Sequence, residues 1–443
     1  MAQYARHVNP AFVKLLGIFG YGRVFARAKD VWIWDTEGRR YLDLLAGYGA
    51  VNLGHNHPRL LERLTRFLGE DTLGFCHIGP PAPAAALAAA LAERAGAALS
   101  ACVFSTGGGE AVEAGLKLAR LATGRPGFLY CEGGFHGTSL GTLSIMGHER
   151  MRAPLEPLLA DCAALPFGDL GALESALRPK RTAAFVVEPI LGEGGVVMPP
   201  PGYLREAQAL CRRYGTLLVL DEVQTGLGRT GTRFAFEGEG FVPDVLVLAK
   251  ALSGGLVPVA VTLTHPELHK AAFGTSSRFD LHNATFAGNA LSCVAALETL
   301  SILDDERLAE NAAIRGRQLV DGLRARLEGH PLVREIRGRG LLVGLALGPP
   351  DGRRRPFGRA VAKHVLGQWV SLKLLEAGFV CQPASQAWDV LKIEPPLTIG
   401  AVEIEAAADA IAEVLGPRRN SAKVLLEAGR RVGEQFRRKW AFR

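Results

Sequence analysis

Two apolar runs, Thr216–Leu220 and Val245–Leu248, each lead into an ionisable residue: Asp221 directly after the first, Lys250 just past the second. A charge after an apolar strand is commonly a solvated strand end. Two of opposite sign, separated by little more than Gly-rich turn, suggest a site. On neighbouring parallel strands they would lie side by side at the carboxyl edge of the sheet, where open α/β sheets bind ligands. A lysine there can condense with a carbonyl carbon and carry a proton.

Other residues have chemistry to offer. Thr106-Gly107-Gly108-Gly109-Glu110 falls between an expected strand and an expected helix. Glycines let backbone amides approach a phosphate at a helix N-terminus; the plainer alternative is a tight turn. Phe135-His136 sits in GGFHG, Glu188 in VVEPI and Glu193 in GEGG, each after or near a strand. The stretch Gly226–Gly231 is a literal GxGxxG. That fingerprint should open a helix directly after its strand. Here TRFAFEGEGFVPD follows, without helical period, so nicotinamide binding is rejected. His55-Asn56-His57-Pro58 invites a metal reading, but no third ligand cluster accompanies it and metal is set aside.

The elements that must position these residues alternate between strand and helix. Strands are expected at 101–104, 128–131, 183–187, 216–220 and 245–248, and helices at 110–121 and 203–214. This alternation predicts an α/β fold with a mainly parallel sheet covered on both faces. Upstream, helices are expected over 58–68 and from about 80 to 92, after a short meander at 31–60. Downstream, the pattern predicts a long helix over 308–327 and strands within 333–347. A Pro/Arg/Gly loop at 350–360, a helix over 371–377, a strand at 390–393 and a helix over 402–415 follow.

At 443 residues the chain exceeds what one compact core usually holds. The expected division is an N-terminal segment 1–60 contributing to a small domain, a large cofactor-binding domain 61–320, a C-terminal small domain 321–416 and a tail 417–443. Hydrophobic content of 48% and charged content of 21% suit a soluble α/β enzyme. The seven cysteines are scattered without a CxxC, which predicts reduced thiols in a cytoplasmic protein. Net charge is +7, and residues 417–443 hold nine Lys/Arg against two Glu, leaving 42 of each sign elsewhere. The body is therefore neutral, which argues against a nucleic-acid enzyme with a basic groove. In the tail, Leu425, Gly429, Val432, Phe436 and Trp440 fall on one helical stripe flanked by basic residues. Such a helix could dock on the protein itself or make a peripheral membrane contact.

DEVQTGLGRTG, followed by Pro-Asp and then Lys250, resembles the signature of the class III aminotransferases, pyridoxal-phosphate enzymes of fold type I. The family includes ornithine, acetylornithine, 4-aminobutyrate and putrescine aminotransferases. The likeness runs from about Val31 to about Ala407. It implies pyridoxal 5'-phosphate as cofactor, with Lys250 forming its Schiff base and Asp221 pairing with the ring nitrogen. It also implies that Gly108 and Gly109 cradle the phosphate. Phe135 then stacks on the ring beside His136, with Val223 on a ring face, Gln224 near the ring hydroxyl and Glu188 in the polar network behind. Thr285 would reach the phosphate from the partner subunit of a homodimer. Tyr48 and Glu193 match substrate-side residues. Lys392, in Lys392-Ile393-Glu394-Pro395-Pro396-Leu397, stands where amino-acid-specific members have an arginine for the substrate carboxylate. Lysine lacks the bidentate fork of arginine. The expected reaction moves an amino group between an amine or amino-acid donor and a keto acid or aldehyde, with a terminal amine or aldehyde as one partner. Alternatives are an ornithine- or acetylornithine-type enzyme, and an aminomutase or racemase on the same fold.

Overall fold

A computed structural model describes residues 1–74, 78–348 and 356–416 of the chain. The basic stretch 417–443, expected to form an amphipathic helix, lies outside the described residues, as do residues 350–355 of the expected loop.

The chain opens with two helices, Ala2–His7 and Pro10–Phe19, the second started by an Asn9 cap and a proline in its first turn. An antiparallel meander follows: β1 (Phe25–Lys29), β2 (Trp32–Asp35) and β3 (Arg40–Asp43). The sequence suggested the second and third strands but not β1, whose Phe-Ala-Arg-Ala-Lys composition carries little strand signal and whose side chains are mostly exposed.

The centre is a seven-stranded sheet: β4 (Ala101–Ser105), β5 (Gly127–Cys131), β6 (Cys162–Leu165), β7 (Thr182–Val187), β8 (Leu217–Asp221), β9 (Val245–Leu248) and β10 (Ala260–Thr264). Its order is β4-β10-β9-β8-β7-β5-β6. The strands from β9 to β6 run parallel, and β10 runs antiparallel to both its neighbours. The near-continuous apolar runs of β8 and β9 arise because both faces are covered. Val219, Val245 and Val247 join the core under the helix Gly108–Thr123, whereas Leu218, Leu220, Leu246 and Leu248 join the larger core on the other face. Asp221 shares the parity of Val219, so the pleat turns it toward the side of helix Gly108–Thr123.

The C-terminal part builds a second, antiparallel sheet from β11 (Val333–Arg339), β12 (Leu342–Leu347), β14 (Gln382–Ala384) and β15 (Ala387–Ile393), in the order β11-β12-β15-β14. The short β13 (Phe379–Val380) instead pairs with β3, parallel to it, and ties the two chain ends together. Helix Ala401–Leu415 packs on Leu308–Leu327.

One expectation fails here. The helix expected over 371–377 starts at Pro356 and runs to Ala377, taking in residues 356–360 of the expected loop. Pro356 opens the helix, a position that tolerates proline. Gly367, which looks like a breaker, is small because the backbone of Trp388 lies against it. Among the described residues no helix is long and apolar enough to cross a membrane.

Candidate active site

Adjacent parallel strands bring Asp221 and Lys250 together, with Asp221 in register with Val247. Both line one cavity of about 180 Å³, with Gly108, Gly109, Phe135, His136, Gly137, Glu188, Glu193, Val223 and Gln224. The segments that follow the carboxyl ends of β4, β5, β7, β8 and β9 thus meet at one cavity. Lys250 has a left-handed backbone, φ 45°, two residues past the end of β9. A bulky residue held there is strained, and such strain concentrates at functional sites.

The Asp221 carboxylate is held on two sides. Its Oδ1 accepts from the Val223 amide at 3.0 Å, and its Oδ2 lies 2.8 Å from His136 Nδ1. Burial works against a charge on His136, but its bond to Asp221 and the charges of Asp221 and Glu188 hold its pKa above the ordinary value. His136 Nε2 is buried without a hydrogen-bond partner. Glu188 accepts from the amides of Phe135 at 2.9 Å and Gly192 at 3.2 Å. Burial pushes the Glu188 carboxyl up to about 7, against the charge of His136 and those two amides. Burial, and then the charge of Lys392, hold the Lys250 amine below the usual lysine value, against the pull of Glu394, Glu193 and Glu188.

Opposite Asp221, helix Gly108–Thr123 begins with no side-chain cap, although Gly107 occupies the cap position. The helix starts two residues earlier than expected, so Gly108 and Gly109 belong to its first turn, where backbone amides lack intrahelical partners. A Cβ on Gly108 would stand 3.0 Å from Cγ1 of Val223, inside the cavity wall. An anion seated there meets free amides and the positive end of a helix dipole.

The substrate-side residues are arranged differently from a simple receptor. Lys392, on β15, is fully buried and is paired with Glu193 and, at 2.7 Å, with Glu394. Of these three only Glu193 lines the cavity. Burial lowers the charge preference of Lys392, but Glu394 and Glu193 overcome it and raise its pKa. Burial likewise opposes the charge on Glu193, yet Lys392, Lys250 and the Ser385 amide hold it down to about 2. Gln224 Nε2 donates to Glu394 at 3.1 Å and to the Tyr48 carbonyl at 3.3 Å. The Tyr48 hydroxyl donates to Gln382 at 2.6 Å, and the Lys392 ammonium lies 5.2 Å from the Tyr48 ring centre. Thr285 is exposed in the segment before helix Ala290–Asp305 and does not line this cavity.

Glu394 was absent from the sequence-derived site. A signal existed: residues two apart on a strand share a face, and Glu394 follows Lys392 by two. The other sequence motifs turn out to be packing devices. Arg229, from the GxGxxG stretch, is fully buried and donates to Asn52 at 2.5 Å, to the Pro395 carbonyl at 2.6 Å and to the Leu341 carbonyl at 2.9 Å. His55 pairs with Asp43 at 2.8 Å and His57 with Glu306 at 3.1 Å. No group of three metal-ligating side chains occurs among the described residues.

Comparison with known proteins gives a consistent picture. The family model Aminotransferase class-III matches residues 20–415. Aminotransferase PigE from Serratia sp. is 37% identical over 448 residues, covering 93% of this chain and 52% of its own length. The chain therefore spans about half the length of that relative. Ornithine aminotransferase from Toxoplasma gondii, described with partial occupancy of PLP at its active site, has a TM-score of 0.81 and 32% identity, covering 90% of this chain and 92% of its own. Acetylornithine aminotransferase from Elizabethkingia anophelis has a TM-score of 0.75 and 27% identity, covering 92% and 99%.

Proposed function

The chain belongs to the class III aminotransferase family, and from that footing we propose that it binds pyridoxal 5'-phosphate at Lys250 and transfers an amino group between a primary amine and a carbonyl acceptor. The observation that carries this reading is the meeting of Lys250, Asp221 and an uncapped helix start in one cavity. Those features suit the cofactor: an amine for its aldehyde, a carboxylate for its ring nitrogen and free amides for its phosphate.

When bound, the cofactor supplies a protonated ring that takes up the electron pair left on the substrate carbon. The chain's own residues do the rest. Asp221 Oδ would hold the proton on the ring nitrogen, and His136 and the Val223 amide keep that carboxylate aimed. Gly108 and Gly109 would hold the phosphate, Phe135 and Val223 the ring faces, and Gln224 the side of the ring hydroxyl. Glu188 anchors the Phe135 backbone. The Lys250 Nζ, whose pKa burial holds below the usual lysine value, would move the proton between carbons. Thr285, exposed and away from its own cavity, is assigned to the phosphate of a partner subunit in a homodimer. The pairing of β13 with β3, which joins the N-terminal meander to the C-terminal part, supports a small domain built from both chain ends. The six free cysteines among the described residues suit a reducing, cytoplasmic setting.

For the substrate, we favour a terminal amine or aldehyde. Lys392 does not line the cavity, and its charge is already taken by carboxylates. Tyr48 and Glu193 would form the near wall of the substrate channel. The test is a single-turnover screen of the cofactor-loaded enzyme with alkylamines, diamines, ornithine and acetylornithine, with the acceptor half-reaction screened over aldehydes and keto acids. Faster reaction with amines lacking a carboxylate, with release of an aldehyde, supports the reading. Far faster reaction with ornithine or acetylornithine, or rearrangement without a carbonyl product, overturns it.

A further inference from the structure

We infer that Glu394 sets the donor specificity of this site, by acting as a fixed counter-ion that denies the Lys392 charge to any substrate carboxylate; the inference rests on the amine reading above. Lys392 and Glu394 are both fully buried, and their charged atoms are 2.7 Å apart. They are two residues apart along one strand and its continuation, so they present the same face. Glu394 is also held through its own amide, which donates to the Leu44 carbonyl at 2.9 Å. Glu193 comes from a separate loop and reaches Lys392 from the cavity side.

The two carboxylates therefore differ in kind. Glu193 borders the space a substrate would fill. Glu394 sits behind, held by Lys392, by Gln224 Nε2 at 3.1 Å and by the strand to which it belongs. A substrate carboxylate that displaced Glu193 would meet a Lys392–Glu394 pair already neutral. It would lose its water without finding a net positive charge, which is unfavourable for a buried anion. With Glu193 in place the cluster has two carboxylates and one ammonium, a net charge of −1. Such a wall suits a neutral alkyl chain or a second ammonium, and repels a carboxylate. Glu394 acts through Lys392 and Gln224, so it is a specificity-determining residue rather than a catalytic one.

The experiment compares cofactor-loaded wild type with Glu394→Gln and Glu394→Ala, each checked for native circular dichroism and cofactor content. Single-turnover rates are taken with hexylamine and with 4-aminobutyrate, and binding of glutarate, a non-reacting dicarboxylate, is followed by calorimetry. Wild type should bind no glutarate at millimolar concentration. In the variants, the rate ratio of 4-aminobutyrate to hexylamine should rise at least tenfold and glutarate binding should appear. An unchanged ratio and no glutarate binding in a native variant overturn the inference. Millimolar glutarate binding by wild type overturns it too, even if neither variant folds. A wild type that prefers ornithine over hexylamine sinks the amine reading instead, whatever the variants do.

Discussion

Nδ1 of His136 stands 2.8 Å from Oδ2 of Asp221, and the histidine side chain is completely buried. The pair fixes the carboxylate toward the cavity by a bond that solvent cannot disturb. Asp221→Ala should keep cofactor yet slow the single-turnover rate by more than about a hundredfold, because nothing then holds the ring proton. The check is stopped-flow absorbance with a matched cofactor content. A rate near wild type removes Asp221 from its assigned role.

Lys392 has two buried carboxylate partners, so removing its charge should unbalance both. Lys392→Met should lose about 3–5 kcal/mol at neutral pH, the usual cost of leaving buried charges uncompensated. The pH dependence gives the sign. In the native chain Glu193 is held down to about 2 from its ordinary 4.5. Its contribution is therefore present above pH 4.5 and lost only as pH falls toward 2. Without Lys392 the buried carboxyl loses its ion-pair partner and keeps only weaker support such as the Ser385 amide, so its pKa rises. Lowering pH from 8 to 5 should then raise the melting temperature of the variant relative to wild type. Parallel melting curves against pH would refute the pairing.

Gly108 offers a steric test of the phosphate cradle. Its Cβ in Gly108→Ala would sit 3.0 Å from Val223 Cγ1. The variant should fold, yet hold pyridoxal phosphate at least roughly tenfold more weakly, about 1.4 kcal/mol. Equilibrium dialysis measures this. Unaltered retention places the phosphate elsewhere.

Thr285 is exposed on the isolated chain, and its assignment to a partner's site has a complementation test. A hybrid of Lys250→Ala and Thr285→Ala subunits should contain one fully wild-type site if Thr285 acts across the dimer. Hybrids should then exceed both parents in activity at limiting cofactor. If Thr285 serves its own subunit, no hybrid site is intact and no gain appears.

What could be read from the sequence follows physical lines. Asp221 and Lys250 were legible because a buried parallel strand must be apolar, and a charge at its end is conspicuous. The start of helix Pro356–Ala377 was not, because Gly358 and Gly367 look like breakers. Only the packing of Gly367 against Trp388 shows why a small residue belongs there. The role of Lys392 was legible in part. Its departure from arginine suggested weak carboxylate binding. That its charge is taken from behind by Glu394 depends on a strand pairing and burial that the motif does not display. Thr285 is exposed and does not line the cavity of its own chain, so the single chain does not display the role that the family resemblance implied for it.

The central claim is that Lys250 carries the cofactor, and borohydride reduction followed by peptide mapping tests it most directly. The protein purified with pyridoxal phosphate should be yellow, and reduction should fix the cofactor mass on the peptide containing Lys250 alone. Lys250→Ala should lose that label and its turnover. Stoichiometric label on any other lysine, or an active Lys250→Ala protein, would contradict the account.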